Sequence, residues 1–175
     1  MQKNDWILDL FRHMQSADAI VWQSVFKLEK HDTEPRLGEL LYHNHSVQHI
    51  FLTAWENRPL TIPEPSHFPD FNSLSQWGSE YYKNLFEYLG KVDEAALEQP
   101  LNVPWTDVVE KHLGQPPQPT TLGETMLQVI THSAYHRGQI NALLRKLNTV
   151  PPLVDYIAWI WIGRPEIAWP EAVSM

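Results

Sequence analysis

Cysteine is absent from the sequence, and its absence excludes several kinds of chemistry. A chain without cysteine has no disulfide bond, no thiolate metal site and no cysteine nucleophile. Three common sequence motifs are missing as well: a Gly-rich phosphate loop, Gly-x-Ser-x-Gly and His-Glu-x-x-His. The chain therefore gives no sign of phosphate-loop nucleotide binding, of a serine-hydrolase elbow or of a zinc-protease helix.

Basic residues and long apolar runs are also scarce. Lys and Arg number 13 against 21 Asp and Glu, which gives a net charge of −8, and binding to nucleic acid would need a basic face. No apolar run approaches the ~18–20 residues of a membrane span. The opening residues lack the apolar core and cleavage site of a signal peptide. We therefore expect a cytoplasmic protein that binds neither nucleic acid nor membranes.

The residues that are present describe a folded protein. Hydrophobic residues make up 43% of the 175 residues, and 8 of them are tryptophan. A chain of this length and composition can bury a substantial core. We expect a single domain over residues 1–175.

Helical periodicity dominates the first half of the chain. Apolar residues recur every three or four positions over residues 5–30, which predicts a first helix. A second helix is predicted from Thr33, as its N-cap, to about Asn57, with Pro35 in the first turn. The stretch "NRPLTIPEPSHFPDF" follows it and predicts a long proline-rich loop.

The second half of the chain predicts two further long helices. The third begins near Asn72 or Ser73 and ends at Gly90, a C-cap. "DEAALEQ" predicts one more short turn, and residues 100–120 favour no element. Thr121 and Glu124 form a capping box, which opens a fourth helix that runs to about residue 147. The predicted buried seam of this helix is Leu122, Met126, Val129, Ser133, His136, Ile140, Leu143 and Leu147.

The last part of the chain predicts a short helix that caps the others. "LVDYIAWIWIGRP" is apolar and compact, and the tryptophans at 159 and 161 are expected to form a hydrophobic lid. Four long amphipathic helices and few strand signals favour an all-α four-helix bundle. The long proline-rich loop follows its second helix, and the short capping helix completes it.

Two histidines on the fourth helix are the first candidates for a metal site. His132 and His136 lie four positions apart, so they share a helix face and can reach one ion. His136 falls in the predicted seam, where a buried imidazole must either form hydrogen bonds or coordinate an ion. A core histidine satisfied by hydrogen bonds is the alternative interpretation.

The second helix carries three more histidines. His43 continues the apolar stripe and is expected to point inward, whereas His45 and His49 form a rival pair on a neighbouring face. His13 on the first helix is a weaker candidate. The pattern predicts a histidine-lined pocket without selecting which second-helix imidazole completes it. The remaining three are expected to be solvated: His31, His67 and His112.

A di-iron carboxylate bundle is the natural rival of a histidine site. It would need Glu-x-x-His on two helices. The only match, Glu64 to His67, lies in the proline-rich loop, where no helix is expected. The sequence therefore disfavours a di-iron centre.

Two long stretches of the sequence resemble a known family. "LGELLYHNHSVQHIFLTAW" and "TLGETMLQVITHSAYHRGQINALLRKL" are similar to the DinB-like (DinB/YfiT-like) four-helix-bundle metalloproteins, and "HSAYHRGQ" matches the family's His-x-x-x-His-Arg-Gly-Gln signature. In that family one histidine of the second helix and two of the last bind a divalent metal. The resemblance implies His132 and His136 as two ligands. "LLYH" matches the family's Leu-Leu-x-His and implies His43 as the third, with His45 as the alternative.

The resemblance also implies a range of functions. Characterised relatives include bacillithiol S-transferases and a mycothiol-dependent maleylpyruvate isomerase. A metal-dependent enzyme would act on a small molecule, with a low-molecular-weight thiol as one candidate, through thiol transfer, hydrolysis or isomerisation. The metal would be one divalent ion such as Zn, Ni or Fe, among which imidazole ligands do not select. No catalytic residue beyond the ligands is implied.

Two further expectations remain open. The alternative to an enzyme is a stress-related binding or interaction protein whose metal is structural or vestigial. A homodimer is expected in either case, because aromatic-rich bundles often leave one apolar face for a partner and two-fold dimers are the commonest closed assembly.

Overall fold

Helices account for nearly all regular structure in the computed structural model, which describes residues 3–28 and 34–170. Four long helices form a bundle: α1 (Lys3–Val25), α2 (Pro35–Trp55), α3 (Phe71–Leu89) and α6 (Leu122–Lys146). Three shorter helices are α4 (Glu94–Leu97), α5 (Thr106–Leu113) and α7 (Tyr156–Trp161). Two short strands, β1 (Pro100–Leu101) and β2 (Thr120–Thr121), pair antiparallel. The prediction of an all-α four-helix bundle is confirmed.

The direction of the helices explains the long loop after α2. Tyr42 stacks on Trp77 in the first half of each helix and Trp55 stacks on Tyr88 near their ends, so α2 and α3 run in the same direction. The 21-residue α2 is about 31 Å long at 1.5 Å per residue. The chain must return along that length before α3 can start. Residues 56–70, with a 3-10 turn at Pro65–His67, make this connection.

The α6 helix runs opposite to α2. His43 lies beside His136, whereas Trp55 at the other end of α2 donates its indole N–H to the Thr125 hydroxyl at 3.0 Å. The first half of α2 therefore lies beside the second half of α6, and the end of α2 lies beside the start of α6. This arrangement lets histidines distant in the sequence meet.

Helix ends follow their capping residues. Thr121 and Glu124 form the predicted capping box, with the Glu124 amide donating to the Thr121 hydroxyl at 3.2 Å. Asp70 begins α3 through a second capping box with Ser73, so that helix starts slightly earlier than predicted. Gly90 is the C-cap of α3, as predicted.

The junction between α1 and α2 differs in part from its prediction. The first helix ends at Val25 and not near residue 30, and a turn follows it. Pro35 opens α2 as predicted, and the residue before it is Glu34, which makes no side-chain cap. The predicted N-cap, Thr33, lies outside the described residues, as does His31.

The buried face of α6 is partly rotated from the predicted seam. Five of the eight seam residues are buried as predicted: Leu122, Met126, Val129, Ser133 and Ile140. Arg137 and Leu144 are buried, at 3% and 0% exposure, where the sequence predicted His136 and Leu143. A guanidinium is tolerated there because its charge is paired with the buried carboxylate of Asp18 at 2.8 Å. The rotation turns His136 toward the edge of the bundle.

The segment after α6 lies against α1. Side chains of α1 bind its backbone: the Ser16 hydroxyl donates to the Pro165 carbonyl at 3.1 Å and the Gln23 amide to the Ala168 carbonyl at 2.9 Å. Trp159 of α7 is buried, but Trp161 is 77% exposed, so only one of the two tryptophans covers the core. None of the helices in the described part of the chain is long and apolar enough to cross a membrane.

Candidate metal centre

Three histidines from two helices meet at one edge of the bundle. His43 on α2 and His132 and His136 on α6 each offer a ring nitrogen, and these atoms lie within 4.8 Å of one another. The ring centroid of His43 lies 4.6 Å from that of His136 and 5.2 Å from that of His132. The antiparallel arrangement of α2 and α6 produces this cluster. The three residues that the sequence proposed as ligands are therefore together in space.

One ring nitrogen of His132 is buried and left unsatisfied by the residues that the structure describes. Its Nε2 is buried and has no hydrogen-bond partner among the described residues. Burial first, and then the neighbouring His136 and His43, lower the pKa of His132 to about 4. The ring is neutral at pH 7, which is the form that coordinates a metal. A buried polar atom without a partner is uncommon and needs an explanation, and a bound ion would supply one.

His136 is held in one orientation by Gln139. Its Nδ1 lies 2.9 Å from the Gln139 side-chain oxygen, which can only accept, so Nδ1 carries the proton. Nε2 is then left with a free lone pair. Burial, followed by the nearby His43, lowers the pKa of His136 as well. Outer partners of this kind orient metal-binding imidazoles in many proteins.

His43 is exposed, contrary to the expectation that it points into the core. The positions that α2 buries around it are Leu40, Leu41 and Asn44, so His43 lies at the border between the buried face and solvent. From there it reaches the two histidines of α6. The solvent side of the cluster is consequently open to a small molecule.

His45, the alternative ligand, lies inside the bundle with both ring nitrogens occupied. The Trp22 indole N–H donates to its Nε2 at 2.9 Å, and its Nδ1–H donates to the Gln48 side-chain oxygen at 2.8 Å. The α3 helix passes so close that a Cβ at Gly78 would lie 2.6 Å from Nε2 of His45. His45 is a structural residue and has no nitrogen free for an ion.

The other candidate histidines also have structural partners. His49 stacks on Trp77 with ring centroids 4.2 Å apart, and its Nε2 donates to the Trp77 carbonyl at 3.0 Å. Burial lowers the pKa of His49 to about 4. The Nε2 of His13 donates to the Val154 carbonyl at 3.0 Å. Neither residue belongs to the cluster, and His67 and His112 are exposed elsewhere.

A buried polar network lies directly beneath the cluster. Its centre is Asp18, whose carboxylate accepts from Arg137 at 2.8 Å, from the Gln48 amide at 2.8 Å and from the Tyr82 hydroxyl. The Gln48 amide also donates to the Ser133 hydroxyl at 3.1 Å. We call this set the Asp18 network; its members are Asp18, Trp22, His45, Gln48, Tyr82, Ser133 and Arg137.

The charged pair of this network was not predicted from the sequence. Asp18 is the single charged residue in the apolar run "SADAIVW", and a lone charge within a helix's buried face is a signal for a buried partner. Burial alone would raise the pKa of Asp18, but the Arg137 guanidinium and the hydrogen bonds hold it below its ordinary value. The pair is therefore ionised at neutral pH.

Two further side chains flank the cluster. The ring of Tyr135 lies 5.1 Å from His136 and is 64% exposed, and Arg36 lies close enough to lower the pKa of His136 further. A cleft of about 390 Å³ runs beside the first half of α2 and includes Glu39, one turn before His43. This cleft is lined by α2, the proline-rich loop and the start of α3, and none of the three clustered histidines is among its lining residues.

Comparison with known proteins agrees with this architecture. The family model described as the DinB family matches residues 1–167. No curated protein matches the sequence. The match covers nearly the whole chain and includes α2 and α6 with their three clustered histidines. The chain belongs to the DinB family.

Proposed function

We propose that His43, His132 and His136 bind one divalent transition-metal ion and that the protein is a metal-dependent enzyme acting on small molecules. The observation that carries the proposal is the buried Nε2 of His132, which has no hydrogen-bond partner among the described residues, on a ring that offers a nitrogen within 4.8 Å of one from each of the other two rings. Zn, Ni and Fe all suit imidazole ligands. The hydrogen bond that Nδ1 of His136 donates to the Gln139 side chain supports the same assignment, because it directs Nε2 of His136 toward the cluster.

An open site favours catalysis over a purely structural ion. Structural zinc sites are usually closed by four protein ligands, whereas catalytic sites keep three and leave a position free. The cluster contains three histidines, and His43 is exposed to solvent. An ion held there would act as a Lewis acid that lowers the pKa of a thiol or of water.

The substrate that we propose is a small molecule, with a low-molecular-weight thiol as the nucleophile. The chain has no cysteine, so any thiol in the reaction must come from outside the protein. The exposed ring of Tyr135 supplies contact area next to His136, and the cleft that includes Glu39 begins one helical turn from His43. The reaction class is transfer of the thiol to an electrophile, or a related hydrolysis or isomerisation.

Metal content tests the site directly. Protein purified without a histidine tag should contain close to one equivalent of a divalent metal, and His136→Ala should lose most of it. His112→Ala is the matched control, because His112 is exposed on α5 away from the cluster. Undiminished metal in His136→Ala would contradict the assignment.

Thiol reactivity tests the enzymatic function. Metal-loaded protein should accelerate the reaction of glutathione, bacillithiol or mycothiol with a chloronitrobenzene, and the productive thiol should perturb the spectrum of cobalt-substituted protein. The acceleration should disappear in His132→Ala. If no thiol reacts above background and none changes the cobalt spectrum, the protein is better described as a non-enzymatic binding or interaction protein.

We also propose that the protein forms a homodimer. Five large apolar side chains around α7 are between 48% and 87% exposed. They are Val150, Leu153, Ile157, Trp161 and Ile162. Exposed apolar patches on folded proteins commonly mark interaction surfaces. Light scattering at micromolar concentration should give twice the chain mass, and Trp161→Ser should shift the protein toward monomer.

A further inference from the structure

The Asp18 network attaches to both ligand-bearing helices next to their ligands. On α6, Ser133 follows His132 and Arg137 follows His136, while on α2 Gln48 lies little more than one turn after His43. Successive residues of a helix point about 100° apart. Each histidine of α6 therefore faces the open edge while its neighbour faces the core. The helix backbone transmits any shift of the buried neighbour to the ligand.

We propose that the Asp18 network positions the three histidines by fixing α2 against α6; this inference rests on the proposed metal site. Gln48 is the link, because its one amide group donates to Asp18 at 2.8 Å and to Ser133 at 3.1 Å. His45 in turn holds the Gln48 oxygen at 2.8 Å. The members that we assign this role are positioning residues, since none of them belongs to the ligand set.

Stability alone is a weak explanation for such a network. Taking an ion pair out of water costs so much that replacing it by apolar side chains of similar volume is often neutral or stabilising. Asp18 and Arg137 are nevertheless buried, at 2% and 3% exposure. Apolar contacts tolerate small sliding movements of one helix over another, whereas hydrogen bonds weaken steeply when their length and angle change. The network supplies directional restraint at the place where ligand spacing matters.

Charge balance is a second contribution of Asp18. Arg137 places a buried cation one residue from His136, and an unpaired cation there would oppose binding of a divalent ion. Asp18 neutralises it at 2.8 Å. The region beneath the histidines is thereby kept close to neutral.

The experiment separates positioning from stability with a double variant. Asp18→Asn combined with Arg137→Met removes both buried charges, so the apoprotein should unfold within a few degrees of wild type. Metal affinity, measured by competition with a chelator, should nevertheless fall about 10–100-fold, the usual effect of losing groups that orient metal ligands. Leu85→Ala is the control. Leu85 is a buried residue of α3, so the substitution leaves a cavity in the core and lowers stability, but it should leave the metal affinity of the folded molecules unchanged.

A second measurement does not require metal. Because the chain has no cysteine, Glu39→Cys and Ala134→Cys place one nitroxide label on the exposed face of α2 and one on that of α6. Pulsed electron paramagnetic resonance should give one narrow distance in the otherwise wild-type apoprotein. The distribution should broaden or shift in the Asp18→Asn/Arg137→Met background.

The outcomes distinguish this inference from the proposed function. Wild-type affinity together with an unchanged label distance in the double variant would overturn positioning, even if wild type binds metal tightly. A wild-type protein that takes up no metal would overturn the metal site, and the label distance would still decide whether the network fixes the two helices. If the double variant does not fold, Ser133→Ala removes only the bond from Gln48 to α6, and a severalfold lower metal affinity supports the inference whereas wild-type affinity overturns it.

Discussion

Gln139 controls which nitrogen of His136 is available, because its side-chain oxygen accepts the Nδ1 proton at 2.9 Å. Without that bond the ring can rotate or adopt the other tautomer. We expect Gln139→Leu to weaken metal binding about tenfold or more and to change the unfolding midpoint little. Gln128→Leu, an exposed change on the same helix, is the control for added surface hydrophobicity. Equal metal affinity in the two variants would contradict this role for Gln139.

His49 should make the apoprotein sensitive to acid. Burial lowers its folded-state pKa to about 4, against about 6.5 in an unfolded chain. Between these pH values the unfolded chain binds the proton at His49 and the folded protein does not. The contribution of neutral His49 to the free energy of unfolding is therefore fully present above pH 6.5 and is lost as the pH drops toward 4. The loss for this one group is about 3 kcal/mol at most.

His49→Gln tests that origin, because it keeps a side-chain donor near the Trp77 carbonyl but does not titrate. Urea unfolding of chelator-treated protein at several pH values should show a shallower decline for the variant than for wild type. Arg58 and His45 also lower the pKa of His49, and both remain in the variant. Identical pH profiles would mean that other groups cause the acid sensitivity.

At the scale of single helices, α3 passes very close to the His45 ring at Gly78. A Cβ at Gly78 would lie 2.6 Å from Nε2 and 2.7 Å from Cε1 of His45. Gly78→Ala should therefore destabilise the protein by about 1–3 kcal/mol, as overpacked cores do. Gly138→Ala is a matched helical control, since its Cβ would meet nothing within 4 Å, and it should be neutral or stabilising by up to about 1 kcal/mol. Chemical denaturation of both variants decides the question.

Individual helices could be predicted well where local residues determine them. The start of α6 depends on Thr121 and Glu124, which bond to each other's backbone, and the end of α3 depends on Gly90. The β1–β2 pair could not be predicted, because two residues per strand carry no periodic signal. Their pairing depends on contacts between segments distant in the sequence.

The candidate site likewise combines features that local residues determine with features that distant residues determine. His132 and His136 share a face through spacing alone, so the sequence identified them directly. The choice between His43 and His45 depends on the rotation of α2 about its axis, and the contacts that hold it come from other helices: Trp22 of α1 bonds His45, and Gln48 of α2 bonds Asp18 of α1. Only the family resemblance favoured His43 beforehand. The buried face of α6 was predicted only in part for a related reason, since the partner that makes a buried Arg137 tolerable lies on α1.

For the whole molecule, binding of a metal at the proposed site should be linked to folding, because the three histidines meet only in the folded bundle. An ion that binds only the folded state, at a free concentration 100 times its dissociation constant, stabilises the folded protein by about 2.7 kcal/mol. In a domain of this size that corresponds to a rise of roughly 5–10 °C in Tm. Calorimetry should show this rise on loading and its loss with a chelator. His43→Ala should show neither change, and an equal shift in that variant would place the ion elsewhere.

The proposed ligands lie on α2 and on α6, the last of the four long helices, and this order along the chain has a consequence for biosynthesis. The first proposed ligand leaves the ribosome well before the other two: His43 and His132 are about 90 positions apart, or roughly 4–18 s at 5–20 residues per second. During that interval the nascent chain exposes isolated histidines but no complete chelate. An ion at the proposed three-histidine site would therefore bind only after α6 has emerged, and would come from the pool that surrounds the protein after translation.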